Sequence, residues 1–244
     1  MGISERQKEI LKIITENTYI SVNELATRTF TSPSSIRRDL TYLENNGLVN
    51  RSYGGVSLPE ISGRVAGFYN RVTKNIKEKR IIAQKASSFL RDGQSILLDS
   101  STTASFMIPY IARLDTAVVF TNNLETAISL IKQGICTHCI GGESINGSVS
   151  LGGSQTYKAL KDIHVDIMFF SSQSLSKNGL ISDSTEQENF ARHIMLKQAD
   201  KTVFLCDSTK FNTTSLYALE SLDIIDFAVF DKDFAELKTK TTIL

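Results

Sequence analysis

Several signals are missing from this 244-residue chain. Its first residues, Met1-Gly2-Ile3-Ser4-Glu5-Arg6, hold no apolar signal-peptide core, and no apolar run approaches the length of a membrane span. Cysteine is sparse: Cys136, Cys139 and Cys206 are three, an odd count that suits a reducing cytosol rather than a disulfide framework. A cytoplasmic protein with no membrane contact is the expectation. Charge of one sign is also lacking, with 27 Lys+Arg against 26 Asp+Glu and a net charge of +1, so the chain as a whole is no histone-like polycation. Cys136-Thr137-His138-Cys139 has superficial metal spacing. It falls in an expected strand, where residues three apart face opposite sides, and no second Cys/His pair follows. No metal and no cofactor is expected there. His164 and His193 stand alone and mark no site.

What is present gathers at helix beginnings. In Ser32-Pro33-Ser34-Ser35-Ile36-Arg37-Arg38-Asp39-Leu40, Ser32 is placed to cap a helix and Pro33 to occupy its first position, where no N–H is needed. Ile36, Leu40 and Leu43 repeat at helical spacing and define one buried face. Ser34, Ser35, Arg37 and Arg38 fall mostly off that stripe, near the end at which a recognition helix meets base edges. Short hydroxyls permit close approach; guanidiniums fork to guanine or grip phosphate. Upstream, Ile10, Leu11 and Ile14 mark a first helix over about 4–16, and Ser21 caps a second over 22–28. Downstream, Asn45-Asn46-Gly47 stops the third helix, and 48–51 can pair with 56–58 around Ser52-Tyr53-Gly54-Gly55. Three helices and a glycine-tipped ribbon make a winged helix-turn-helix, with Arg51 and Tyr53 on the wing.

The remainder alternates helices with short apolar strands. Strands are expected at 95–99, 117–121, 135–140, 165–170, 202–207 and 226–230. Helices are expected at 81–90, 102–112, 124–132 and about 186–199. Nearly continuous apolar strands in such alternation predict an α/β fold with a mostly parallel, Rossmann-like sheet covered on both faces. Ligands of such sheets bind beyond the carboxyl ends of the strands. The loops there are polar. Asp99-Ser100-Ser101-Thr102-Thr103 runs from a strand into a helix and offers N–H groups and hydroxyls to a phosphate. Asp99 either accepts from sugar hydroxyls or orders the loop. Asn122 adds an amide, Gly141-Gly142 and Gly152-Gly153 allow close backbone approach, and Asp207-Ser208-Thr209-Lys210 sets a carboxylate and an ammonium on one loop. Lysine suits an anion and aspartate suits hydroxyls; a surface ion pair is the bland alternative.

The string Ser35-Ile36-Arg37-Arg38-Asp39-Leu40, with Leu43-Glu44, Gly47-Leu48 and Arg51-Ser52-Tyr53-Gly54-Gly55, resembles the DNA-binding signature of the DeoR-type bacterial transcription regulators. Thr31-Ser32 stands where the family usually has Val-Ser, Ser35 where it has Thr, and Tyr53 where it commonly has His. The resemblance continues through Asp99 to Thr103, through Asp207, Ser208, Lys210 and Phe211, and through Glu188 followed by Arg192. It implies a sensor domain similar to sugar-phosphate isomerases of the ribose-5-phosphate type, binding a phosphosugar as effector. Ser171-Ser172-Gln173-Ser174-Leu175 stands where that family often has glycines, and the added side chains imply a narrower pocket.

The resulting expectation has three parts: a DNA-binding domain over 1–58, a linker over 59–75 and a phosphosugar-sensing domain over 76–244. The basic run Arg64, Arg71, Lys74, Lys77, Lys79 and Arg80 is read mainly as a solvated linker and helix face. The DNA-binding set is Ser34, Ser35, Arg37, Arg38, Arg51 and Tyr53. The effector set is Asp99, Ser100, Ser101, Thr102, Thr103, Asn122, Gly141, Gly142, Glu188, Asp207 and Lys210. No catalytic residue is assigned. The partners are double-stranded operator DNA, a phosphorylated sugar and further copies of the chain, as a homodimer or homotetramer reading repeated half-sites. The function is repression of sugar-metabolism genes. Two rivals stay open: a sugar-phosphate isomerase carrying a DNA-binding appendage, and a sensor of a non-sugar anion.

Overall fold

A computed structural model describes residues 4–17, 19–46, 48–52, 55–57 and 63–244. They divide into two units, Met1–Gly63 and Arg64–Leu244.

The first unit is built from helices that announce their own starts. Ser4 accepts from the Gln7 N–H while the Gln7 side chain accepts from the Ser4 N–H, a reciprocal cap that begins α1, Glu5–Thr15. β1, Ile20–Ser21, runs into α2, Val22–Arg28, capped by Ser21. α3, Pro33–Asn45, starts with Ser32 accepting from Ser35 N–H at 3.3 Å and Pro33 in the first turn. β2, Asn50–Ser52, and β3, Gly55–Ser57, pair antiparallel as the wing. Ile10, Ile14, Leu25, Ile36, Leu40, Leu43 and Val56 close one core. One element was not expected: β1 joins the wing as a third strand, pairing Ile20 with Val56. The approach is so close that a Cβ on Gly55 would lie 2.3 Å from the Tyr19 hydroxyl. Two residues are too few to show alternation, so sequence pattern misses such a strand. Tyr53 and Gly54, which follow β2 in sequence, lie outside the described residues.

The second unit begins with α4, Gly63–Thr73, inside the segment expected to be a linker, then α5, Ile76–Ala86, and β4, Gln94–Leu98. There follow α6, Ile108–Ile111, β5, Ala117–Thr121, α7, Leu124–Lys132, and β6, Cys136–Cys139. A small hairpin, β7, Glu143–Ser144, with β8, Leu151–Gly152, leads to α8, Ser154–Lys161, and β9, Ile167–Phe170. Next come β10, Ser174–Leu175, β11, Leu180–Asp183, α9, Glu186–Met195, and β12, Thr202–Cys206. The chain ends with β13, Tyr217–Ser221, β14, Phe227–Phe230, and β15, Thr242–Ile243.

Seven of these strands form one parallel sheet in the order β15-β14-β12-β9-β4-β5-β6. Its two faces feed two cores. Leu97, Met168, Phe170, Phe204 and Phe230 enter one, while Ile96, Leu98, Phe169, Leu205 and Val229 enter the other. A period of two sends neighbours to opposite sides, which is why these strands read as unbroken apolar runs. The expected helix over 102–112 is instead a 3-10 turn, Ala104–Met107, followed by the short α6. Pro109 has no N–H to bond back to Ser105, so one continuous α-helix is not available. β6 is an edge strand whose Cys136, His138 and Cys139 are exposed. Among the described residues no helix is long and apolar enough to cross a membrane.

Candidate functional site

In the first unit, the exposed end of α3 carries Ser34, Arg37 and Arg38, with Ser35 half-buried beside them. The hydroxyls of Ser34 and Ser35 each lie 3.0 Å from that of Ser32, so the helix start is a small hydroxyl cluster. Among the described residues neither the Arg37 nor the Arg38 guanidinium has an ion-pair partner. Asp39, next in line, is buried and accepts from Arg6 Nε at 2.6 Å and Gln7 Nε2 at 3.3 Å, which locks α3 to α1. Arg51, from the wing, is held to α3: its Nη1 donates to Thr41 Oγ1 at 2.8 Å and stands 3.8 Å from Glu44. Tyr53, the other wing residue expected to touch DNA, lies outside the described residues. The face is therefore cationic and hydroxylic, and among the described residues Arg37 and Arg38 keep their guanidiniums without an ion-pair partner while Arg51 is held to α3.

In the second unit, the expected effector residues separate into three groups. Thr103, Asp207 and Lys210 come together, joined by Ser171 at the end of β9. Lys210 Nζ donates to Ser171 Oγ at 2.9 Å and Thr103 Oγ1 at 3.3 Å, and sits 3.6 Å from Asp207 Oδ2. Asp207 Oδ1 accepts from Thr209 and from Asn75 Nδ2, while Asp207 Oδ2 is buried with no hydrogen bond. This cluster lies beyond the carboxyl ends of β4, β9 and β12, where a parallel sheet exposes its loops.

Asp99 and Glu188 belong to a second cluster centred on Arg192, which is 3 % exposed. Its Nε donates to Asp99 at 2.8 Å, its Nη1 to Asp183 at 2.9 Å and its Nη2 to Glu188 at 3.4 Å. Burial alone would lower the guanidinium pKa, but the three carboxylates outweigh it and push the pKa further up. Asp99 Oδ1 accepts from both N–H and Oγ of Ser101, so both carboxylate oxygens are engaged. Of its two sequence readings, ordering the loop is what this bonding performs. Ser101 in turn caps Ala104. Ser100 and Thr102 are buried, and the Ser100 carbonyl accepts from Asn123 Nδ2.

Asn122, Gly141 and Gly142 form the third group, beside the β7–β8 hairpin. Asn122 Nδ2 donates to the Leu151 carbonyl at 2.8 Å, and its buried Oδ1 has no hydrogen bond. Gly142 has φ +148°, and a Cβ there would fall 1.9 Å from Thr156 Oγ1 and 2.4 Å from the Gly152 carbonyl. Its close approach is to the protein's own chain. Thr156 Oγ1 donates to the carbonyls of Gly141 and Gly152, fixing the hairpin.

Sequence reasoning missed Asp183, Asn75 and Lys79. Lys79 Nζ donates to the carbonyls of Lys74, at 2.8 Å, and of Arg71 at the end of α4. Burial, then the positive charge of Lys210, pull its pKa down to about 8. Its position in a basic helical run gave no hint that it turns inward.

A helix-turn-helix head with exposed arginines on α3, followed by a parallel α/β body with a polar, charged cluster at its strand ends, fits a ligand-responsive DNA-binding regulator. Residues 6–62 match the family model of the DeoR-like helix-turn-helix domain, and residues 74–232 that of the DeoR C terminal sensor domain. The HTH-type transcriptional regulator GolR of Listeria innocua is 30% identical over 228 residues, 93% of this chain and 90% of that protein. The HTH-type transcriptional repressor GlcR of Bacillus subtilis is 29% identical, covering 93% and 88%. The L-fucose operon activator of Haemophilus influenzae is 31% identical, covering 95% and 93%. Among solved structures, ribose 5-phosphate isomerase A from Methanocaldococcus jannaschii overlaps 55% of this chain and 53% of its own, at 18% identity and a TM-score of 0.41. The chain belongs to the DeoR family of transcription regulators. It binds DNA through its head and an effector through its sensor domain, and the family is not one of enzymes. The isomerase alternative is thereby set aside.

Proposed function

We propose that this regulator represses carbohydrate-metabolism genes and that a phosphorylated sugar controls its hold on operator DNA. The observation that carries this reading is the pairing, at one end of the sheet, of a cation with unsatisfied acceptors. Lys210 is tied only to hydroxyls and a carboxylate 3.6 Å away, while Asp207 Oδ2 and Asn122 Oδ1 are buried without a donor. A phosphate supplies what Lys210 lacks, and sugar hydroxyls supply what the two acceptors lack. Thr103, with the loop Ser100 to Thr102, flanks the anion; Asp99 and Glu188 hold that loop and α9 in place through Arg192. Gly141 and Gly142 shape the adjoining hairpin.

On the DNA side, Arg37 and Arg38 contact bases or phosphates from α3, supported by Ser34 and Ser35, with Arg51 and Tyr53 acting from the wing. The working division is a head over 1–58, a connecting segment over 59–75 and a sensor over 76–244. One head makes few contacts, so a homodimer or homotetramer on repeated half-sites, in the cytoplasm, is the acting form. The names of relatives include both a repressor and an activator. Repression is preferred because the sugar then acts by favouring a state that DNA does not. Such a shift requires unequal affinity for the two states.

Calorimetry with hexose and pentose monophosphates and inorganic phosphate tests the effector, comparing the unaltered chain with Lys210→Ala. At least one sugar phosphate is expected to bind, with affinity falling at least about tenfold in the variant, the scale of one lost charge-assisted bond. Operator binding without effector stays unchanged. Affinity for inorganic phosphate alone would select the non-sugar reading, and equal binding by the variant would remove Lys210 from the site.

A further inference from the structure

α2 ends in a Schellman turn: the Thr31 N–H bonds the Ala26 carbonyl at 2.9 Å, and the Phe30 N–H bonds the Thr27 carbonyl at 3.3 Å. The residue at the centre of such a turn takes a left-handed conformation, where glycine is the usual occupant and asparagine the common substitute. Here it is Phe30, with φ +48°. The other left-handed non-glycine residues among those described are Asn75, Asn146 and Asn212. Phe30 is thus the one side chain placed against backbone preference.

Among the described residues nothing repays that placement. Phe30 is 98 % exposed and has no share in the core of the first unit. An aromatic ring in water at a turn that prefers glycine costs stability twice, through backbone conformation and through uncovered apolar surface. Its surroundings narrow the choice of partner. It precedes by two residues Ser32, the cap of α3, and Ser32, Pro33 and Ser34 are all exposed with short side chains. The nearest cation in sequence, Arg28, is already paired with Glu24 at 2.6 Å. The turn into α3 therefore presents one large apolar group beside small neutral residues, with the exposed Arg37 and Arg38 further along the helix. The major groove into which such a helix end docks displays one apolar feature, the 5-methyl group of thymine.

We propose that Phe30 is a specificity-determining residue of the head, making an apolar contact with a thymine methyl in the operator. The inference rests on the reading of α3 as the operator-binding helix. It gives this chain a preference at one base position that Arg37 and Arg38 do not supply.

The probe is a duplex enriched from a random-sequence pool by the unaltered full-length protein. Gel shifts compare the unaltered chain with Phe30→Ala, Phe30→Gly and Arg38→Ala, on that duplex and on copies in which each thymine in turn becomes deoxyuridine. Both Phe30 variants are expected to bind about tenfold more weakly, the scale of a methyl-sized apolar contact. Phe30→Gly should melt no lower than the unaltered chain, since it relieves the left-handed strain. Removing one particular thymine methyl should weaken the unaltered chain and leave Phe30→Ala unaffected. Wild-type affinity in Phe30→Ala, or identical deoxyuridine profiles for the two proteins, overturns the proposal. Lost binding in Arg38→Ala with full binding in Phe30→Ala sinks this inference alone. Full binding by Arg38→Ala, or failure of the unaltered chain to enrich any duplex, sinks the reading of α3 and this inference with it.

Discussion

Two charged centres in the sensor unit are built on opposite principles. Around Arg192, one guanidinium meets Asp99, Asp183 and Glu188, and Asp99 uses both oxygens on protein donors. Around Lys210, the ammonium meets two hydroxyls and stands 3.6 Å from Asp207 Oδ2, an oxygen that has no hydrogen bond. The side-chain exposures, 4% for Arg192 and 21% for Lys210, follow the same division. A satisfied ionic web holds elements in place; an unsatisfied one has capacity for something else. The contrast teaches that burial of charge alone does not mark a ligand site. Spare bonding capacity is what selects the Lys210 centre as the proposed one.

The largest effect should come from breaking the closed centre. Arg192→Ala leaves three carboxylates without their shared cation, and removing one partner of such a buried pair costs on the order of 3–5 kcal/mol. Chemical denaturation should show the sensor transition moving to much lower denaturant. An unchanged midpoint with lost sugar-phosphate binding would reverse the two roles. Lys210→Ala is the complementary substitution. Its midpoint should move far less, with the loss appearing in effector affinity.

A smaller effect concerns pH, through Lys79. Its pKa falls from 10.5 to about 8 on folding, because burial and Lys210 both disfavour the cation. Between about pH 8 and 10.5 the unfolded chain holds the proton and the folded chain does not, so stability rises with pH across that window. Below pH 8 both states are protonated and the full cost of the buried cation is present. Denaturation midpoints from pH 7.5 to 10 should show this rise in the unaltered chain and its loss in Lys79→Met. An anion seated on Lys210 offsets part of the repulsion, so effector binding near pH 8 should take up a fraction of a proton. Calorimetry in buffers of different ionisation enthalpy measures it, and zero uptake would separate Lys79 from the site.

Legibility differed between the two units for a physical reason. Ser32 capping α3, Pro33 in its first turn and the Ile36–Leu40–Leu43 stripe are interactions within a few residues, so pattern alone located them. Asp207 and Lys210 were singled out because they share a loop, and Thr103 because it follows a strand; the fold brings all three together. Asp183, Asn75 and Lys79 were not found, because nothing local distinguishes them. Asn75 reaches Asp207 across 132 positions. Lys79 sat among basic residues read as a solvated face. Gly142 was noticed as a glycine but given the wrong neighbour, since Thr156 comes near it only once α8 packs down.

From the chain alone came the head, the alternation of strand and helix, and the loops at which a ligand would be sought. These follow from caps, turn residues and apolar periods, all of which act over one or two helical turns. Tertiary structure alone decided which polar residues neutralise one another and which keep bonds to give. That division depends chiefly on contacts such as Asp99 with Arg192 and Thr103 with Lys210, between side chains scores of residues apart, which the order of the sheet brings within 4 Å.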